Sequence, residues 1–577
     1  MRNSICILLI PLVLGACATS KTQSSKEKES ENSGLSYEQQ SQVIKMLFDG
    51  EKAELKGNTT KAISYYRECI EIDPNNPIGY FKLATVYHSM GNFPFAVSRI
   101  NEAIRIDPNN KWYYLLLTQS YLAMSDFPKA TESIKKVIEL EPDNIEYQLE
   151  LVELYAQQNK FDKAIQTLDE VEKRYGSNPE FNIRKQEFYM SNGQADKAIE
   201  TCKILIEQYP DQPNFYGLLA ILYESIGDKE NEFLMYSKLV ELDPENGLAH
   251  LKLSGIYQER GNKEMSEAEM KEVFKCRDLD IEVKVNVLTQ YYEKLQVDNS
   301  IWPYVEELLM NMELANSNDA RTYSVYSDFL TLQKSYESAR DYLLKSLEIK
   351  KDRFLVWNQL IILDSQLGDW QAMSEHSEEA LSLFPSNPAI YYYQGIAYFQ
   401  LKQYDNAIEI LETGKMIIFK NESGIVDFYI LLGDSYNAIK EYKKSDENYE
   451  SALKINPDNP YVLNNFAYYL SLRKDKLDRA EQMAKRAVEL EPNQYNYQDT
   501  YGWVLFQAGK YEQAVFWLNS AVNNGGKVNG EIVEHLGDAL FKTGKTDEAL
   551  EKWKEAKEIG DASVLIDEKI RTASYID

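Results

Sequence analysis

The chain has 577 residues, 44% hydrophobic and 27% charged, which are ordinary proportions for a soluble folded protein. Its 91 acidic residues outnumber 63 basic ones, and the resulting net charge of -28 repels phosphate and argues against a nucleic-acid partner. Its five cysteines, Cys6, Cys17, Cys69, Cys202 and Cys276, form no CxxC pair, which argues against a disulfide framework or a zinc centre.

Residues 1–16 carry one basic residue, Arg2, an apolar run from Ile5 to Leu14, and small residues before Cys17. The run is too short to span a bilayer and reads as a cleaved secretory leader. Leu14, Gly15, Ala16 and Cys17 resemble the lipobox of bacterial lipoproteins, which implies that Cys17 becomes the lipidated first residue of the mature chain. Ala18, which is not aspartate, implies by the same resemblance an outer-membrane destination, and the absence of acidic residues directly after Cys17 implies a periplasm-facing one. Residues 17–37, rich in Ser, Lys and Glu, cannot bury enough apolar surface to fold and read as a flexible polar tether.

From there a period of 34 takes over. The phrase IDPNN stands at 72–76 and again at 106–110. Tyrosine recurs at Tyr87, Tyr121, Tyr155, Tyr189, Tyr223 and Tyr257, and alanine at Ala62, Ala96, Ala130, Ala164 and Ala198. Self-similarity at this period marks a solenoid. Within residues 77–110, Tyr80, Leu83, Ala84 and Tyr87 share one face of a first helix, which Gly91 ends; Ala96, Ile100, Ala103 and Ile104 share one face of a second, which Pro108 ends. Each unit is therefore a helical hairpin that must stack on its neighbours to bury that face.

The pattern resembles the tetratricopeptide-repeat (TPR) family, most closely over 429–460 and 497–522. The resemblance implies an all-α TPR α-solenoid, a right-handed superhelix of about fifteen hairpins from about Val43 to about Asp561, closed by a capping helix. The expected organisation is an N-terminal array over 38–280, a degenerate repeat or joint over 281–319 where the signature residues vanish, a C-terminal array over 320–561, and a cap over 562–577 with apolar Val564, Leu565 and Ile570.

No catalytic signature occurs: HExxH, GxSxG, GxxxxGK[ST] and GxGxxG are missing, and His88, His250, His376 and His535 lie far apart at different repeat positions. Asp278, Asp280 and Glu282 read as a solvated acidic turn, not a calcium site, so no enzyme activity, metal or cofactor is expected. In the TPR family the first helix of each hairpin faces a concave groove that binds proteins or peptides. By that resemblance the candidate contacts are Phe81, His88, Trp112 and Leu115 toward the N-terminus. Toward the C-terminus they are Tyr392, Phe399, Tyr461, Asn464, Tyr468, Asp499, Trp503, Phe506 and Phe541. The Lys/Asn/Arg clamp with which chaperone-binding members hold a carboxylate terminus has no counterpart here. The expected function is a lipid-anchored scaffold for protein–protein interaction in a bacterial envelope assembly, secretion or export complex. The alternative is a lipoprotein that binds glycan, peptidoglycan or an exported polysaccharide, on its aromatics.

Overall fold

The computed structural model describes residues 34–418 and 424–577; Cys17, the expected leader and nearly all of the expected tether lie outside the described residues. The described chain contains 31 α-helices, fifteen consecutive hairpins and a final short helix, and no strand. It divides into two compact units, residues 1–242 and 243–577.

The first unit pairs α1 (Tyr37–Leu55) with α2 (Thr59–Ile72), α3 (Pro77–Ser89) with α4 (Phe93–Ile106), and α5 (Lys111–Ala123) with α6 (Phe127–Leu140). It continues with α7 (Ile145–Gln157) and α8 (Phe161–Tyr175), α9 (Pro179–Ser191) and α10 (Ala195–Gln208), and α11 (Pro213–Ile226) and α12 (Lys229–Leu242). The second unit opens with α13 (Gly247–Glu259) and α14 (Lys263–Lys275), then α15 (Ile281–Leu295) and α16 (Trp302–Ala315), then α17 (Ala320–Leu332) and α18 (Tyr336–Ile349). Next come α19 (Phe354–Leu367) and α20 (Trp370–Leu383), α21 (Pro388–Gln400) and α22 (Tyr404–Ile417), and α23 (Ile425–Ala438) and α24 (Tyr442–Ile455). It ends with α25 (Pro460–Leu472) and α26 (Leu477–Leu490), α27 (Tyr495–Gln507) and α28 (Tyr511–Asn523), α29 (Gly530–Lys542) and α30 (Thr546–Ile559), and α31 (Ile566–Thr572).

The DPNN echo builds the boundaries at 73–76 and 107–110, and variants of it serve several others. In residues 73–76 Asp73 closes α2, and the Asn76 side chain accepts the Gly79 N–H at 3.0 Å to start α3, with Pro77 at the first helical position. Asn110, Asn144 and Asn178 cap α5, α7 and α9 in the same way. Inside each hairpin the turn needs a left-handed residue. Gly57 and Gly91 supply it at φ 68° and 75°, and Ser125 and Asn159 take the same conformation where the period lacks glycine.

The two helices of a hairpin cross where a small residue on the first meets a large one on the second, 16 positions later: Gly433 under Tyr449, Gly502 under Leu518, Gly537 under Trp553. A Cβ at Gly502 would lie 2.6 Å from Leu518 Cγ and 3.1 Å from its backbone nitrogen, so neither side chain nor helix has room to give. The periodic alanines Ala62, Ala96, Ala130, Ala164 and Ala198 are fully buried on the second helices. First helices also touch the next first helix, as α3 does α5 in the first unit and α19 does α21, α25 does α27 and α27 does α29 in the second. They converge on the inner side of their unit, and the second helices form the outer layer.

Residues 281–319 depart from this scheme and lie within the second unit. Here α16 packs on α14, second helix on second helix, and α15 makes only slight contact with α16. Lys284 on α15 takes over the joining role. Its fully buried ammonium donates to the Phe274 carbonyl at 3.3 Å, the Cys276 carbonyl at 2.5 Å and the Asn316 side-chain oxygen at 2.7 Å. It thus ties the ends of α14 and α16 together, and burial lowers its pKa to about 8. The three carboxylates of the acidic turn are all engaged: Asp278 accepts the Gly247 N–H, Asp280 caps α15, and Glu282 pairs with Arg321.

At the C-terminus the apolar residues singled out from sequence hold the cap only in part: Ile570 packs, like Phe541, against the core that contains Trp553, and Leu565 is half-buried. Val564 is 98% exposed and Ile566 is the buried apolar residue. The stronger anchor is Lys569, buried with its ammonium 2.8 Å from Glu534 and 2.7 Å from Asp538, while Asp538 also accepts the Trp553 indole N–H at 2.8 Å. Among the described residues no helix is long and apolar enough to cross a membrane.

Gly502→Val should lower the unfolding free energy of the chain by about 1–3 kcal/mol through overpacking against Leu518. Urea denaturation followed by circular dichroism measures it, and an unchanged midpoint would remove the crossing constraint. Lys284→Met tests the buried ammonium. An amine held near pH 8 when folded, but titrating near 10.4 when unfolded, binds fewer protons in the native state between those values, so stability rises with pH there. The wild-type unfolding free energy, relative to the variant, should therefore climb by about 3 kcal/mol between roughly pH 8 and 10.4. A pH-independent difference would mean that Lys284 titrates normally.

Candidate functional site

The C-terminal part of the second unit's inner face is made by α21, α23, α25, α27 and α29. These five helices hold one lysine or arginine between them, Lys542, against six carboxylates: Asp427, Asp434, Asp499, Glu531, Glu534 and Asp538. The second helices mix the signs: α24 carries Lys443, Lys444 and Lys454 beside Asp446, Glu447 and Glu450, and α26 carries Arg479, Lys485 and Arg486 beside Asp478, Glu481 and Glu489. Five of the six acids have partners among the described residues: Asp499 meets His535 and Glu531 accepts the Tyr468 hydroxyl. Asp434 accepts the Tyr449 and Tyr469 hydroxyls, and Glu534 and Asp538 hold Lys569. Asp427 and Glu531 are exposed.

The densest constellation spans α25, α27 and α29. The Tyr468 hydroxyl on α25 donates to Glu531, two hairpins away, at 2.8 Å. His535 Nδ1 stands 3.0 Å from the Asp499 carboxylate. The Trp503 ring stacks on His535 with centroids 3.9 Å apart and on Phe506 at 4.8 Å. The Trp503 indole N–H and the Asn464 amide oxygen are buried without a hydrogen-bond partner among the described residues. Burial works against a charged His535, but Asp499 foremost, with Glu531 and Asp538, outweighs it and holds the imidazole pKa above its ordinary value. Burial and the Glu531 carboxylate push the Tyr468 phenol up.

The residues expected to line a groove separate into three groups. Trp112, 57% exposed beneath the Lys111 ammonium, and Tyr461, 48% exposed, present open rings. Phe81, His88, Leu115, Tyr392, Phe399, Tyr468 and Phe541 are half-buried. Phe81 leans on Tyr113 and Tyr392 on Phe428, whereas Phe399 packs on Tyr404 of its own hairpin and Phe541 on Trp553 of its own. His88 meets the Ser120 hydroxyl at 3.0 Å. Asn464, Asp499, Trp503 and Phe506 are buried, which corrects their reading as open contacts: α25, α27 and α29 approach so closely that these positions become helix-to-helix packing, and Tyr575 further covers Phe506. Two participants escaped the sequence reading. Glu531 carried no signal, and His535 seemed isolated because it follows Asp499 by 36 residues, not 34.

Tetratricopeptide-repeat models match residues 55–91, 121–182, 187–211, 213–246, 365–414, 426–459 and 448–482. A model described as anaphase-promoting complex, cyclosome, subunit 3 matches 473–556. No curated protein matches the chain. Among solved structures it is similar to the anaphase-promoting complex hetero-tetramer Cut9-Hcn1, at 14% identity, with 94% of this chain and 100% of that chain covered and a TM-score of 0.37. It is similar also to yeast Tom70, at 15% identity, 93% and 94% coverage and a TM-score of 0.31. A tetratricopeptide repeat protein from Parabacteroides merdae matches 44% of this chain over 98% of its own, at 15% identity and a TM-score of 0.37.

The Asp499–His535 pair makes its own pH signature. A raised folded-state pKa means that the pair stabilises fully below the ordinary imidazole value near 6.5, and that this contribution is lost as pH rises through the folded value. Histidine-selective NMR titration should place the His535 midpoint above about 6.5 and that of His88, lowered by burial, below it. Asp499→Asn should bring His535 down. A His535 midpoint at or under the ordinary value would dissolve the coupling.

Proposed function

The chain is a tetratricopeptide-repeat protein, a scaffold for protein–protein interaction, and from that premise we propose that the inner face of α21–α29 grips a basic segment of a partner protein. The observation that carries this is the scarcity of cations on five consecutive first helices, where Lys542 alone stands against six carboxylates among many tyrosines. Lysine and arginine side chains find carboxylates at Asp427 and Glu531 and phenol rings at Tyr392, Tyr461 and Tyr468, where charge pairing and cation–π attraction act together.

The further reading follows the N-terminal sequence. Cys17 carries the lipid, and the scaffold stands at the outer membrane, facing the periplasm and holding partners of an envelope assembly, secretion or export complex. More than one acyl chain is needed for durable attachment, as a triacylated cysteine provides. Glycan stacking is the weaker alternative, because of the candidate aromatics only Trp112 and Tyr461 offer open rings, in separate units.

Two measurements test this. Affinity capture from detergent-solubilised membranes should recover a defined set of proteins, which the double variant Tyr461→Ala/Glu531→Ala loses at unchanged helicity. Raising salt from 50 to 500 mM should weaken the capture by roughly tenfold or more, as an electrostatic interface requires. Recovery of the same proteins by both forms, or none above background, would end the proposal. Separately, incorporation of labelled palmitate should vanish in Cys17→Ala; incorporation persisting there would remove the anchor from the reading.

A further inference from the structure

The outermost helix of the first unit is not finished as a terminal repeat should be. End repeats of a solenoid stay soluble by presenting a polar outer face. On α1, however, Tyr37 is 89% exposed, Ile44 55%, Phe48 68% and Leu55 80%, and nothing among the described residues covers them. Their spacing of 7, 4 and 7 residues places all four on one stripe of the helix, the a and d seam of a coiled coil. The residues between them do not interrupt it: Ser41 is small, and Glu51 is drawn aside to Lys82 at 2.6 Å.

The stripe is also its own complement. Positions 37, 44, 48 and 55 are symmetric about residue 46, so a second α1 laid antiparallel across a two-fold axis sets Tyr37 against Leu55 and Ile44 against Phe48. The flanks agree at two of three places: exposed Glu38 then lies beside exposed Lys52 of the other copy, twice per interface, against one Lys45–Lys45 approach near the axis, where both ammonium groups are exposed to solvent. We infer that this stripe is a homodimerisation surface whose occupant is α1 of a second copy of the chain. A lone bilayer surface fits less well, since Lys45, Lys52 and Lys56 are offset by Glu38 and Asp49 on that side of the helix.

A 19-residue helix is about 28 Å long, so the interface belongs to the small, transient class. Two copies held on one membrane would meet at a higher effective concentration than in solution. Sedimentation equilibrium of the full chain at tens of micromolar should show a monomer–dimer equilibrium, which Phe48→Glu/Leu55→Glu weakens by about tenfold or more. Both substitutions are at exposed positions, and an unchanged circular dichroism spectrum confirms that the variant folds. Zero-length carbodiimide coupling of mixed light and heavy chains should join Glu38 to Lys52 between copies, which reads the antiparallel register directly. A monomer throughout, a dimer indifferent to the double variant, or mixed-isotope links absent from Glu38–Lys52 would each overturn the inference. So would a monomer that binds phosphatidylcholine–phosphatidylglycerol vesicles through the stripe. The result is independent of partner capture by the inner face of α21–α29, so either reading can fail alone.

Discussion

The fold depends on how closely two helices can cross. Several hairpins set a glycine on the first helix under a large side chain 16 residues later on the second, as with Gly502 and Leu518 or Gly537 and Trp553. That approach lets one hairpin present a flat pair of helices to the next, and only stacking then buries enough apolar surface to offset the entropy of ordering the chain. The same approach determines which positions face inward. Because first helices touch one another along the inner side, a side chain there is open or buried according to how tightly its own pair of hairpins converges.

Much of this is legible in the sequence. Residues that act within one repeat declare themselves by recurrence: the alanines at the crossing, the proline after the second helix, the left-handed turn. Even the echo DPNN is a local device, an Asp that closes one helix and an Asn that caps the next. Lys284 and Lys569 are another matter. A lysine in a helical pattern reads as solvated, and only the fold reveals that one joins α14 to α16 and the other holds the terminal helix by a buried ionic cluster. Both replace apolar repeat contacts where the period fails, at residues 281–319 and after Gly560.

The site was legible by residue type and helix, and much less by exposure. Counting from the repeat identifies Tyr461, Tyr468, Asp499 and Trp503 as residues of the inner helices, but it cannot tell open Tyr461 from buried Trp503. That distinction arises between hairpins, where α25, α27 and α29 converge. The Asp499–His535 pair is hidden for a related reason. This repeat is 35 residues long, as Gly502 and Gly537 show, and His535 stands one position beyond the equivalent of Asp499, so the partners fall out of register in the sequence while meeting in space.

Charge follows the same geometry. Convergence of the first helices brings inner side chains nearer to one another than outer ones, so like charges there repel more strongly, at distances too short for salt to screen fully. A chain selected only for stability would place its carboxylates outside and mix the signs within. From α21 onward the second unit instead mixes the signs outside, where α24 and α26 each balance three cations with three acids, and leaves six acids against Lys542 alone on the first helices. Asp434, Glu534 and Asp538 are repaid by tyrosines and by Lys569. Asp427, exposed on α23, has no such compensation among the described residues. A cationic segment bound along this face would supply it, and would relieve the repulsion that the converging helices create.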